Sequence, residues 1–231
     1  MNEKILININ DVLSKNKNII LIPHSSPDAD ALGSCLALYH FFKNENNVNI
    51  ISPNQYTDIL NFLPGSKSVL VFDNEKEKST ILLKNADIIF TLDFNSLSRA
   101  RNLSNLISKS SAKIIMIDHH ENPDKYADIM ISDSKMSSTC EMVYDFICLI
   151  DKNKINNKIA TCLYTGIVAD TGSFRYPSTT SKTLKTGAEL INYGVNVTEI
   201  YEKLYNNFQF KRLKLLGAAI NNYKKIDGLP V

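Results

Sequence analysis

The sequence predicts an α/β fold: a doubly wound, mainly parallel sheet with helices on both faces, followed by a helical linker. Two observations carry it. Short apolar runs of strand length alternate with helix-like stretches through the first two-thirds of the chain, and from Ser137 onward the pattern is mostly helical. Strands that read as continuous apolar runs, without polar alternation, are covered on both faces. Parallel strands with helices on each side give the doubly wound architecture.

The elements follow in order. Lys17 to Pro23 (KNIILIP) reads as a buried strand. Ala29 to Lys43 reads as a helix whose apolar residues include Leu32, Leu36, Leu38 and Phe42. Val48 to Ser52 is a second strand and Ser68 to Phe72 a third. Ala86 to Asp93 (ADIIFTLD) and Lys113 to Asp118 (KIIMID) are the clearest strands after the first. Ser138 and Glu141 have the spacing of a capping box, in which each side chain bonds the other's amide, so a helix is expected to run from there to about Ile150. Ile155 to Ala169 is apolar almost all round and is expected to be central. Ser181 to Tyr193 is expected to end at Gly194 as a C-cap. Val197 to Asn206 and Phe208 to Lys225 complete the helices, the last with a basic face at Lys211, Arg212, Lys214, Lys224 and Lys225.

Composition narrows the function. The chain has 231 residues, 26 Lys+Arg against 24 Asp+Glu, and 44% hydrophobic residues. This excludes wholesale disorder and argues against a broad basic surface for long nucleic acid. No apolar run approaches the roughly 18 residues that span a bilayer, and the N-terminus lacks the apolar core of a signal peptide. Four cysteines (Cys35, Cys140, Cys148, Cys162) show no C-x-x-C spacing. They read as reduced, buried thiols in a cytoplasmic protein.

Three strands end in residues that ligate metals. The first runs into His24, followed by Asp28 and Asp30; the second ends in Asp93; the third ends in Asp118-His119-His120. In open parallel sheets the binding crevice lies outside the carboxyl ends of the strands, so all three aim at one place. Asp170, in TGIVADTG, closes an apolar helix, where an unpartnered carboxylate is costly. His24, Asp28, Asp30, Asp93, His119 and Asp170 are too many donors for one ion of low coordination number and suit two divalent ions about 3.5–4 Å apart. Oxygen and imidazole donors without thiolate favour Mn²⁺, with Mg²⁺, Co²⁺ or Fe²⁺ as alternatives. Such a pair generates hydroxide near neutral pH and clamps the attacking and leaving oxygens of a phosphoryl transfer.

These residues carry a resemblance. The run from His24 through Asp28 and Asp30 to Gly33 and Ser34 resembles the first motif of the DHH phosphoesterase family. Asp93 is similar to its second, and Asp118-His119-His120 is the tripeptide that names it. Ser137-Ser138-Thr139-Cys140-Glu141 and the run from Thr165 to Phe174 resemble two further blocks, in family order over residues 18 to about 190. Within the family the chain most resembles the bacterial branch of nanoRNases and 3′-phosphoadenosine-5′-phosphate phosphatases.

The resemblance implies a division of roles. His24, Asp28 and Asp93 would hold one metal; Asp30, Asp93, His119 and Asp170 would hold the other. His120 would face the substrate phosphate and Asp118 would hold an imidazole in place. The implied activity is hydrolysis of short oligoribonucleotides, dinucleotides or 3′-phosphoadenosine-5′-phosphate. Relatives also include inorganic pyrophosphatases and exopolyphosphatases, and a nucleotide-binding or regulatory subunit needing a partner domain is a third reading. Arg99 is a candidate phosphate contact, Arg175 a candidate cleft residue, and the amides beside Ser138 a candidate anion site, each against a plain surface or capping role. The resemblance further implies a catalytic domain over residues 1–190, a helical linker over 191–225, and at 226–231 the first turn and strand of a substrate-binding domain that would follow. A homodimer is compatible with it.

Overall fold

Alternation along the first strand sets the two layers. In the computed structural model, which describes residues 15–206 and 210–223, β1 (Asn18–Pro23) turns Ile19 and Leu21 into one apolar core and Ile20 and Ile22 into another. β2 (Asn47–Ser52), β3 (Val69–Val71), β4 (Ile88–Leu92), β5 (Lys113–Asp118) and β6 (Ile129–Ser132) complete one sheet in the order β3-β2-β1-β4-β5-β6. Every pair is parallel. The order reverses between β1 and β4, which makes that junction the switch point where doubly wound sheets open a crevice.

The helices are α1 (Ala29–Phe42), α2 (Lys76–Lys84), α3 (Ser104–Ser108), α4 (Thr139–Asp151), α5 (Asn157–Asp170), α6 (Ser181–Ile191), α7 (Val197–Tyr205) and α8 (Phe210–Asn221). α1, α4 and α5 share the larger core with Ile19, Phe90 and Ile117. α2, α3 and a 3-10 segment (Leu97–Leu103) cover the other face through Leu83, Leu103 and Ile107. The predicted doubly wound architecture is the observed one. α1 and α5 approach closely at Gly33, where a Cβ would lie 2.6 Å from the Cys162 carbonyl.

Local details differ from the sequence expectation. The strand expected at Ser68 to Phe72 shortens to three half-buried residues. β6, α2 and α3 were not anticipated. Ser138 caps α4 by accepting from the Glu141 amide at 3.1 Å, but Glu141 does not reciprocate. Its Oε2 instead accepts from the Ser137 amide (3.2 Å), the Ser137 hydroxyl (2.5 Å) and the Thr183 hydroxyl (3.2 Å). Buried hydroxyls outcompete the return bond. The reciprocal box forms at α6, between Thr180 and Thr183. That helix ends at Ile191, and Gly194 lies beyond it in a turn with φ 81°.

α8 exposes Phe210, Leu213, Leu215, Leu216 and Ile220. The expected basic positions Lys224 and Lys225, the helix start at Phe208 and the segment 226–231 lie outside the described residues. All four cysteines are free, and no described helix is long and apolar enough to cross a membrane.

Candidate metal centre

The sheet order sets the ends of β1, β4 and β5 side by side, and their polar successors converge. His24 follows Pro23, the last residue of β1. Its Nδ1–H donates to the Ser25 carbonyl (2.8 Å), which turns Nε2 to Asp93 Oδ2 (3.4 Å) and Asp28 Oδ2 (3.9 Å). Asp28 caps α1: its Oδ1 accepts from the amides of Asp30 and Ala31, both at 3.0 Å, leaving Oδ2 for the crevice.

His119 repeats the arrangement from β5. Nδ1–H donates to the Met136 carbonyl (3.3 Å), and Nε2 faces Asp93 Oδ1 (3.5 Å), Asp170 Oδ2 (3.5 Å) and Asp30 Oδ2 (4.0 Å). An imidazole that gives one N–H to a backbone carbonyl and presents the other nitrogen to carboxylates has the orientation of a metal ligand. The carboxylate of Asp93, just after β4, is shared: Oδ2 faces His24 and Oδ1 faces His119. Its backbone sits at φ 66°, a left-handed value that aspartate tolerates better than most residues.

Two trios therefore meet at Asp93. His24, Asp28 and Asp93 bring donor atoms within 4.8 Å of one another, as do Asp30, His119 and Asp170. All six sequence-predicted ligands come together. A third trio, Asp93, His119 and His120, has the same spread, but His120 Nδ1 is engaged elsewhere. It donates to Asp118 Oδ1 at 2.7 Å, while Asp118 Oδ2 accepts from the His120 amide at 3.2 Å. Asp118 is fully buried, so this bond pins the ring. Arg99 Nη1 lies 3.0 Å from His120 Nε2. Asp118 holds the His120 proton more tightly than usual; burial opposes this, and Asp93 adds to it.

The charges are crowded. Burial, reinforced by Asp93, Asp170 and Asp28, pushes the Asp30 carboxyl well up. Burial pushes Asp170 up to about 6, with His119 opposing and Asp93 adding. Burial pulls His24 down, but its bonds to Asp28 and Asp93 overcome that and raise it to about 10. Among the described residues no lysine or arginine pairs with any of the four aspartates. Four carboxylates gathered without a lysine or arginine partner, beside two imidazoles, fit divalent cations.

Two features were not foreseen. Asp30 Oδ2 accepts from the Thr139 amide (2.7 Å) and Oδ1 from the Cys140 amide (2.8 Å). The Thr139 and Cys140 amides at the start of α4 are thus occupied by the chain's own Asp30 carboxyl. Ser138 beside it is buried with its hydroxyl occupied by the cap. The Thr139 hydroxyl donates to Asp93 Oδ1 at 2.9 Å, so one residue orients two carboxylates. In the sequence Thr139 is masked by its neighbour Ser138, which carries the capping spacing. Arg175 is exposed, and its Nε donates to the Gly172 carbonyl at 2.6 Å.

The fold and this cluster define a class: a doubly wound α/β domain with a carboxylate–imidazole centre at its switch point. The chain belongs to the DHH family; the model described as "DHH family, N-terminal domain" matches residues 18–167. It is 33% identical over 213 residues to the bifunctional oligoribonuclease and PAP phosphatase NrnA of Bacillus subtilis, covering 91% of this chain and 64% of that protein. Identity to the Thermus thermophilus protein of the same description is 31% over 208 residues, covering 88% of this chain and 58% of that one. The chain thus spans about two thirds or less of these relatives. A solved exopolyphosphatase-related protein from Bacteroides fragilis superposes with a TM-score of 0.94 at 36% identity, over 97% of this chain and 67% of that chain. The putative family II inorganic pyrophosphatase of Methanococcus jannaschii shares the fold, with a TM-score of 0.59 at 17% identity.

Proposed function

We propose that residues 1–190 form the catalytic domain of a metal-dependent phosphoesterase acting on short oligoribonucleotides, dinucleotides or 3′-phosphoadenosine-5′-phosphate. The observation that carries this reading is Asp93, whose two oxygens face separate trios of donors. The oligoribonuclease and PAP phosphatase activities of the Bacillus subtilis and Thermus thermophilus relatives support the substrate class.

In this reading His24, Asp28 and Asp93 hold one divalent ion, and Asp30, Asp93, His119 and Asp170 hold the other. When bound, the ions supply a water activated near neutral pH and neutralise charge on the phosphoryl group. The chain's own residues do the rest. Asp118 keeps the ring of His120 fixed, and Arg99 lies against its far nitrogen. A phosphoryl oxygen entering between Arg99 and His120 accepts from both, which favours the charge that builds in the transition state. Thr139 aims the Asp93 and Asp30 carboxylates through one hydroxyl and one amide.

The test is turnover by the purified chain with Mn²⁺. Mononucleotide release from a diribonucleotide, or phosphate release from 3′-phosphoadenosine-5′-phosphate, is the expected result. The likeness to the exopolyphosphatase-related structure favours a second reading, and faster turnover of pyrophosphate or polyphosphate than of any nucleotide would replace the first with it. Thr139→Val keeps the side-chain shape and the amide bond to Asp30 but removes the hydroxyl from Asp93. It is expected to weaken Mn²⁺ binding by about 10-fold or more, measured by calorimetric titration; an unchanged affinity would remove Thr139 from the centre.

A further inference from the structure

The two trios rest on unequal scaffolding. Asp30, His119 and Asp170 stand on the first turn of α1, immediately after β5 and on the last turn of α5. His24 and Asp28 instead stand at the two ends of a short loop between β1 and α1. In its middle Ser26 has φ 54°, a left-handed conformation that serine adopts only when its surroundings hold it there.

Two outside groups hold this loop. The Arg99 carbonyl accepts from the Ser25 amide at 2.8 Å. Asn54, just past β2, makes a reciprocal pair with Ser26: Oδ1 accepts from the Ser26 amide at 2.6 Å, and Nδ2 donates to the Ser26 hydroxyl at 3.1 Å. Asn54 is fixed in turn. Its carbonyl accepts from the hydroxyl of Ser52, a buried residue that ends β2, at 2.6 Å, and Nδ2 also lies 3.3 Å from the Gln55 carbonyl. Among the described residues Asn54 makes no hydrogen bond to any of the six candidate ligands.

We propose that Asn54 is a positioning residue for the His24–Asp28 half of the metal centre, so that its loss weakens one metal site and spares the other. This rests on the two-ion reading above. The planar amide places one acceptor and one donor against a single residue, and no other side chain of its length offers both. Alanine removes both bonds. Aspartate keeps the acceptor for the Ser26 amide, loses the donor and adds charge beside a carboxylate-rich centre. Without the clamp, Ser26 relaxes from its left-handed conformation, and His24 and Asp28 change their separation. The second trio meets this loop through Asp93, which faces both histidines, and through the Asp30 amide, which donates to Asp28 Oδ1; its own side chains stand on α1, α5 and the end of β5.

The test is titration of the metal-free full chain with Mn²⁺, following free Mn²⁺ by electron paramagnetic resonance. The wild-type chain is expected to bind two ions. Asn54→Ala is expected to bind one with wild-type affinity and the other about 10- to 100-fold more weakly, the range seen when groups that orient metal ligands are removed. Its melting temperature in chelator should match the wild type. Ser26→Gly keeps the amide bond to Asn54 and accepts the left-handed backbone freely, so it should retain both sites. If the alanine variant folds poorly, Asn54→Asp carries the same test with a smaller split. Two unchanged sites, or two sites weakened together, overturn the positioning role while leaving the two-ion centre intact. A wild-type stoichiometry below two overturns the two-ion reading itself, and the proposal with it.

Discussion

Asp93→Asn is expected to reduce Mn²⁺-dependent turnover on the order of 10³-fold or more, equivalent to roughly 4 kcal/mol of barrier, without unfolding the domain. The carboxylate offers Oδ2 to the His24 side and Oδ1 to the His119 side. An amide offers one oxygen, so one side loses its shared donor whichever way the group turns. Asparagine also tolerates the left-handed backbone at this position and can still accept from the Thr139 hydroxyl. Electrostatic consequences in the metal-free protein oppose one another: repulsion with Asp30 and Asp170 is relieved, and attraction to His24 is lost. The melting temperature in chelator should therefore stay within a few degrees of the wild type.

Added metal separates the two proteins. An ion at 100 times its dissociation constant stabilises the folded chain by about 2.7 kcal/mol per site, or roughly 5–10 °C for a domain of this size. The wild type should show that rise with Mn²⁺, and Asp93→Asn should show most of it missing. Retained turnover together with a full metal-induced rise would remove Asp93 from the centre.

The candidate ligands were legible because the physics that buries a strand also ends it. β1, β4 and β5 are mainly apolar and buried on both faces, so the His and Asp residues at their carboxyl ends mark the sheet's rim. Parallel pairing then sets those rims together. β6 was not legible: it is four residues long, and only Ile129 and Ile131 are buried. α2 buries only Ser79 and Leu83, too little for an apolar period to show. The long-range hydrogen bonds around the candidate ligands were hidden for another reason. Asn54 lies 28 residues from Ser26, and the Thr139 amide lies 109 residues from Asp30. Nothing local in either segment names its partner. The capping spacing of Ser138 and Glu141 does mark a helix start, yet a neighbouring serine and a threonine from α6 take the carboxylate that local geometry assigns to the cap.

Gly166→Ala is expected to damage stability and the metal centre together. A mid-helix glycine inside the apolar α5 signals a close approach, and the approach is to Asp30. A Cβ at Gly166 would overlap Cys140 Sγ and lie 2.9 Å from Asp30 Oδ1 and 3.0 Å from Asp30 Cα. These neighbours cannot yield independently, because the Cys140 amide is bonded to Asp30 Oδ1 and the Thr139 amide to Oδ2. Pushing α5 outward carries Asp170 away from His119; pushing α1 carries Asp30. Overpacking of this kind costs about 1–3 kcal/mol, read as a fall in melting temperature of roughly 2–12 °C. The double variant with Cys140→Ala separates the two effects. It removes the overlap with sulfur, so chemical denaturation should show stability partly recovered, with a coupling of about 0.5–3 kcal/mol between the positions. The contact with Asp30 remains, so Mn²⁺ affinity should stay low in the double variant. Full recovery of metal binding alongside stability would show that Gly166 serves packing against Cys140 alone, and that Asp30 keeps its place without it.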